Sequence, residues 1–137
     1  MNRKTLTITT LGIIIAFSAI LIYYTQPQSL DTEINYGDIT IEQAKLLIES
    51  KPSLIILDVR RQDEYDSGHI ERAIIIPVDE LEDRLDELSK NDELLVYCRT
   101  GNRSSSAINI LQLNGFTMIF HMTDGITGWI QAGYPTY

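Results

Sequence analysis

The sequence contains a single cysteine, Cys98, and that scarcity excludes a disulfide framework within the chain and any cysteine-rich zinc or iron–sulfur site. Its two histidines, His69 and His121, stand far apart and offer no metal-ligand spacing, so neither a metal nor another cofactor is expected. Basic residues are few: 11 Lys+Arg face 19 Asp+Glu, for a formal net charge of −8. A phosphate-neutralising face is missing, which argues against nucleic acid as a partner. No repeat or low-complexity tract interrupts the chain. Its 137 residues allow one globular domain once a tail is removed.

Charge of either sign is also missing between Lys4 and Asp31. Within that gap the uncharged segment 5–24 is 20 residues long, about what a helix needs to cross the hydrocarbon core of a bilayer. Arg3 and Lys4 precede it in the basic segment 1–4, Tyr23 and Tyr24 close it, and acidic residues begin only afterwards. This pattern predicts a single-pass anchor with the N-terminus inside and the remainder extracytoplasmic. A cleaved signal segment, leaving a secreted or periplasmic protein, is the alternative. Ile20, Leu21 and Ile22 continue the apolar run past the small residues Ala16 and Ser18, which favours the anchor. A lipid anchor would need a cysteine near the end of this segment, and none is there. Residues 25–35 contain Pro27 and no periodicity and read as a linker, which leaves 36–137 as the folded domain. Everything after Tyr24 carries 9 basic against 19 acidic residues, a net −10.

The domain alternates helix and strand signals. Thr40 to Gln43 is a capping-box pattern, after which Ile41, Ala44, Leu47 and Ile48 share one helical face. Apolar runs within 53–59, 73–76, 94–97 and 118–121 read as buried strands. Residues 63–67 allow one helical turn. Leu81, Leu85 and Leu88 mark a helix whose outer face is acidic, with Glu80 and Arg84 as an i, i+4 pair. Ala107, Ile108, Leu111 and Leu113 form a further stripe closed by Gly115, and a last helical turn surrounds Trp129, expected to cover the core. The predicted fold is a small three-layer α/β domain with a parallel central sheet and helices on both faces.

Cys98 falls where a buried strand gives way to a helix, the position at which ligands bind in open α/β sheets. Gly101 and Asn102 can adopt backbone angles that turn successive amides inward. Arg99 and Arg103 add positive charge, Ser104 a hydroxyl, and the new helix its unpaired N–H groups. Such surroundings lower a thiol's pKa from its ordinary value of about 8.5 and make a thiolate nucleophile. The alternative is an inert core cysteine that ends a strand beside a solvated arginine pair, and these neighbours favour the nucleophile.

In this order and spacing the motifs resemble the rhodanese-like family, in its single-domain sulfurtransferase form. Asp58-Val59-Arg60, Glu64-Tyr65, Gly68-His69-Ile70, Ala73 and Ile76-Pro77 are similar to its first signature, and Cys98 to Ser104 to its active-site loop. Gly115-Phe116, Asp124-Gly125 and Trp129 are similar to its C-terminal motif. The resemblance implies transfer of sulfane sulfur from thiosulfate or a related small anionic donor, through a persulfide on Cys98, to cyanide or a thiol. It implies that Arg99, Thr100, Gly101, Asn102, Arg103 and Ser104 bind the donor and cradle the persulfide. Asp58 and Arg60 would organise the surroundings of the loop, with a merely local salt bridge as the equal alternative. His69 would be a structural hydrogen-bonder, whereas His121 carries no signal. The alternative function is a tethered persulfide carrier or redox relay for a membrane or extracytoplasmic protein partner, with little turnover of its own.

Loop length separates two chemistries in related proteins. Phosphatases and arsenate reductases of this superfamily hold five residues between Cys and Arg. Here four intervene, Arg99 to Asn102, which resembles the sulfurtransferase type. Two departures from the family pattern stand out. Arg72 occupies a position commonly held by glycine, where it would either change a turn or bring a third positive charge to the crevice, and Asp124 replaces the first of two glycines.

Overall fold

The computed structural model describes residues 34–137. The segments 1–4 and 5–24, and the linker up to residue 33, lie outside the described residues, and so does the expected anchor. No helix among the described residues is long and apolar enough to cross a membrane.

The chain runs β1 (Gly37–Ile39), α1 (Ile41–Ser50), β2 (Ile55–Asp58), α2 (Gln62–Asp66), β3 (Ile74–Ile75), a 3₁₀ helix (Glu82–Glu87), β4 (Leu94–Tyr97), α3 (Asn102–Leu113), β5 (Ile119–Met122) and α4 (Gly125–Gln131). The five strands form one sheet in the order β1-β5-β4-β2-β3. Every pairing is parallel. Parallel neighbours need crossovers, and the intervening helices supply them on both faces.

Successive side chains of a strand point to opposite faces, so the central strand β4 feeds two cores. Leu95 and Tyr97 pack with Ala44 and Leu47 of α1 and with Ile126 and Trp129 of α4. Leu94, Val96 and Cys98 pack on the other side with Ala107 and Leu111 of α3 and with Leu81 and Leu88. Each wholly buried leucine contributes about 2 kcal/mol. Trp129 covers the first core as expected, its Nε1 donating to Pro135 O at 2.9 Å.

The expected α1 capping box is present: Thr40 Oγ1 accepts from Gln43 N at 3.3 Å, and the Gln43 side chain accepts from Thr40 N at 2.9 Å. One strand lies outside the sequence expectations, and two expectations need correction. β1 was not anticipated, because only Ile39 of its three residues is apolar and pairing with β5 alone makes it a strand. The helix expected over Leu81 to Leu88 is a 3₁₀ segment broken at Arg84, where φ is −119°. Its i→i+3 bonds, Arg84 N to Leu81 O at 3.2 Å and Leu88 N to Leu85 O at 3.2 Å, still turn Leu81 and Leu88 inward. The Glu80–Arg84 pair forms at 2.9 Å, and Glu87 shares the same guanidinium. Leu113, expected on the α3 stripe, is 88% exposed, because α3 ends there and the chain turns away through Asn114 and Gly115.

Candidate active site

β4 ends at Tyr97, so Cys98 emerges beyond the carboxyl end of the middle strand of the sheet. The residue is only 1% exposed and belongs to the second core. Gly101 N donates to its Sγ at 3.1 Å, and Ser104 Oγ lies 3.4 Å from the sulfur. Burial is the largest single influence on this thiol and pushes it up. The Ser104 hydroxyl and the amides of Ser104, Thr100 and Gly101 outweigh it, so the thiol falls below its ordinary value. That balance favours a buried thiolate.

The amides face inward because the loop carbonyls are held from outside. Ile126 N donates to Cys98 O at 2.9 Å, and Thr127 N donates to Arg99 O at 3.1 Å. The first free amides of α4 thus anchor the back of the loop. Gly101 has φ +96° and caps the start of α3, and its missing Cβ leaves room for Thr123 O. Gly125 has φ +59°, and a Cβ there would overlap the carbonyls of Cys98 and Arg99. Asp124, by contrast, has φ −81°, so the family's first glycine is dispensable here.

The two loop arginines differ. Arg99 is exposed, and its guanidinium has no partner among the described residues. Arg103 makes a bidentate pair with Glu64 of α2, Nη1 to Oε2 at 2.6 Å and Nη2 to Oε1 at 2.7 Å. Arg103 holds the Glu64 carboxyl down to about 2. Glu64 Oε2 also accepts from Arg61 N at 3.2 Å, which ties the start of α2 to the loop. Arg103 lines a cavity of about 380 Å³ with Arg60, Arg61, Val78 and Asp79. Thr100 and Asn102 are exposed at the rim.

Asp58 and Arg60 form a buried pair, with Arg60 Nε donating at 2.9 Å and Nη2 at 2.6 Å to Oδ2. Arg60 Nη2 also donates to Gly68 O at 2.8 Å, so the pair braces the turn after α2 and makes no hydrogen bond to the Cys98 sulfur. Arg72 keeps the glycine-like backbone, with φ +65°. Its guanidinium donates to Ile48 O and Pro52 O, both at 2.9 Å, and caps the C-terminal end of α1 instead of adding charge to the loop. His69 Nδ1 lies 3.1 Å from Tyr65 O, and its ring stacks on Tyr65.

Two residues at the site escaped the sequence reading. Glu64 stood only within a motif, although an acid in the first turn of a helix was a usable signal. His121 had none: its ring lies 2.9 Å from Ser104 Oγ through Nε2 and 2.8 Å from Asp38 Oδ1 through Nδ1. The β1–β5 pairing that sets Asp38 opposite His121 is invisible before folding. Among the described residues there is no cluster able to hold a metal ion.

Comparison with known proteins places this geometry. Residues 40–132 match the family model of the rhodanese-like domain. The chain is 37% identical over 92 residues to YrkF of Bacillus subtilis, named as a candidate sulfur carrier protein, which covers 67% of this chain and 50% of that protein. It therefore spans about half the length of that relative. It is 33% identical over 86 residues to the thiosulfate sulfurtransferase GlpE of Coxiella burnetii, covering 63% of this chain and 79% of that one. A rhodanese-related protein of Thermoplasma volcanium superposes with a TM-score of 0.66 at 33% identity, covering 74% of this chain and 98% of that chain. The family model spans well over half of the sequence and its loop closes around Cys98, so the chain belongs to the rhodanese-like domain family.

Proposed function

We propose that this protein is a sulfurtransferase that carries sulfane sulfur on Cys98. The observation that carries the reading is the Cys98 sulfur, held by the Gly101 amide and Ser104 hydroxyl at the start of α3. A thiolate there attacks the outer sulfur of a thiosulfate-like dianion. The new S–S bond forms on Cys98 as the bond to the sulfonate sulfur breaks, and the electron pair leaves with sulfite. The persulfide is itself an anion, and the same amides stabilise it without rearrangement. A thiolate or cyanide acceptor then takes the outer sulfur and returns Cys98 as thiolate. Arg99, and Arg61 beside Arg103 in the adjoining cavity, supply the positive charge that draws an anionic donor to a chain of net charge −8. The four-residue spacing lets Gly101 N reach the sulfur directly, which suits a persulfide better than a phosphate-sized ion.

Thiosulfate:cyanide sulfurtransfer by the full chain is expected, and Cys98→Ser abolishes it; equal rates in the two proteins would sink the reading. A second reading, a carrier that holds the persulfide for a partner, draws support from the name of the Bacillus relative. It predicts a one-sulfur adduct on Cys98 by intact mass, with negligible turnover until a partner thiol is supplied. The apolar segment 5–24 would tether either activity to a membrane with the domain outside. Protease accessibility of the domain in intact cells tests that placement.

A further inference from the structure

A file of polar groups runs from the sulfur to the far edge of the sheet. Ser104 Oγ lies 3.4 Å from Cys98 Sγ and 2.9 Å from His121 Nε2, and His121 Nδ1 lies 2.8 Å from Asp38 Oδ1. Ser104 is wholly buried and His121 is 7% exposed, whereas the Asp38 side chain is 77% exposed. Three different elements meet here: Asp38 on β1, His121 on β5 and Ser104 on α3.

The hydroxyl has one proton and three neighbours, the third being Gly101 O at 2.9 Å. Ser105 Oγ also donates to Gly101 O at 2.9 Å, so that carbonyl is satisfied without Ser104. The Asp38 carboxylate accepts from Nδ1–H, which leaves Nε2 of a neutral ring as a bare acceptor. Ser104 must then give its proton to Nε2, and its oxygen can only accept from a Cys98 thiol. With the ring protonated the order reverses: Nε2–H donates to Ser104 Oγ, and Ser104 donates to a Cys98 thiolate. Both arrangements satisfy every group, and the two ends of the file change together.

We propose that His121, oriented by Asp38, is a positioning residue that holds the proton of Cys98 through Ser104. The Sγ–H bond breaks as an Oγ–H bond forms, and the original hydroxyl proton passes to Nε2. The thiolate is left facing the Gly101 amide, and His121 carries the positive charge beside Asp38. Among the described residues, the other titratable groups facing this file are Tyr36, ahead of β1 in the cavity that Asp38 and His121 line, and Arg103 near the sulfur, already paired with Glu64. From α3 the same cavity receives only uncharged residues, Ser105 and Asn109 among them. The proposal rests on the reading of Cys98 as the nucleophile.

Because Cys98 is the only cysteine, the rate of iodoacetamide alkylation of the full chain against pH reports its thiolate alone. His121→Gln is expected to move the midpoint of that profile up by about one pH unit, and Ser104→Ala to do the same. The groups act in series, so the double variant should move no further than Ser104→Ala. A His121→Gln profile that coincides with the original, or shifts that add in the double variant, overturns the proposal. Should His121→Gln fail to fold, the exposed change Asp38→Asn decides: a smaller rise in the same direction supports the file, and an unmoved midpoint overturns it. Alkylation needs no sulfur donor, so a failure of sulfurtransfer in the unaltered protein is distinguishable from a failure of this proposal.

Discussion

Gly125 has no functional group, yet the shape of the Cys98 loop depends on it. Its φ of +59° and missing side chain let the start of α4 close on the carbonyls of Cys98 and Arg99. Gly125→Ala would place a methyl group against those carbonyls and force the left-handed backbone on an alanine. The expected cost is about 2–4 kcal/mol by chemical denaturation, with sulfurtransfer lost as the loop amides turn away. Asp124→Gly beside it should leave turnover unchanged, since Asp124 already has an ordinary right-handed backbone. The Asp124-Gly125 pair was visible as a motif, but its meaning was not. A side chain's absence matters only once the backbone it would strike is known.

The same holds at the scale of elements. α1 announces its start through Thr40 and Gln43, four residues of local chemistry, but its end is finished from outside by Arg72. There the carbonyls of Ile48 and Pro52 accept from a guanidinium 24 and 20 residues away. Arg72→Ala keeps the strained φ and loses both hydrogen bonds, so a loss of about 1 kcal/mol in unfolding free energy is expected. Arg72→Gly loses the same bonds and relieves the backbone, and should fall within about 0.5 kcal/mol of the original protein. A larger loss for glycine than for alanine would overturn this account. The 3₁₀ segment makes the complementary point. Leucine spacing predicted which side chains turn inward, and Leu81 and Leu88 do so, but spacing does not distinguish i→i+3 from i→i+4 bonding over two turns.

Across the whole molecule, Glu64 and Arg103 join α2 to the loop that begins α3, and so tie the β2 side of the sheet to the β4 side. The Glu64 carboxyl lies at about 2, below the 4.5 of a free glutamate, chiefly because Arg103 donates to it. A carboxyl depressed by folding stabilises the native state above its unfolded value. That contribution is complete above about pH 5, and it is lost as pH falls from 4.5 toward 2. With the pair about a quarter exposed, solvent screening limits it to about 1–2 kcal/mol. Glu64→Gln should lower stability at pH 7 by that amount and flatten the fall between pH 5 and 2, measured by thermal unfolding. An unchanged acid limb would count against this reading. The same variant frees the Arg103 charge, so binding of an anionic donor should tighten or stay the same while the fold weakens.

Local patterning was enough to determine the α/β class, the parallel sheet, the position of Cys98 at a strand end and its basic, glycine-containing loop. Each of these follows from side-chain periodicity or from neighbours within a few residues, where the chain's own covalent geometry sets what can meet. Tertiary structure alone decided that Glu64 holds Arg103, that Arg72 caps α1 and that Asp38, His121 and Ser104 line up behind the sulfur. These contacts span 39, 24, 17 and 83 residues of sequence, and the longest depends on a three-residue strand that exists only through its pairing with β5. Distances of that kind are set by how elements pack, and packing is a property of the sheet as a whole.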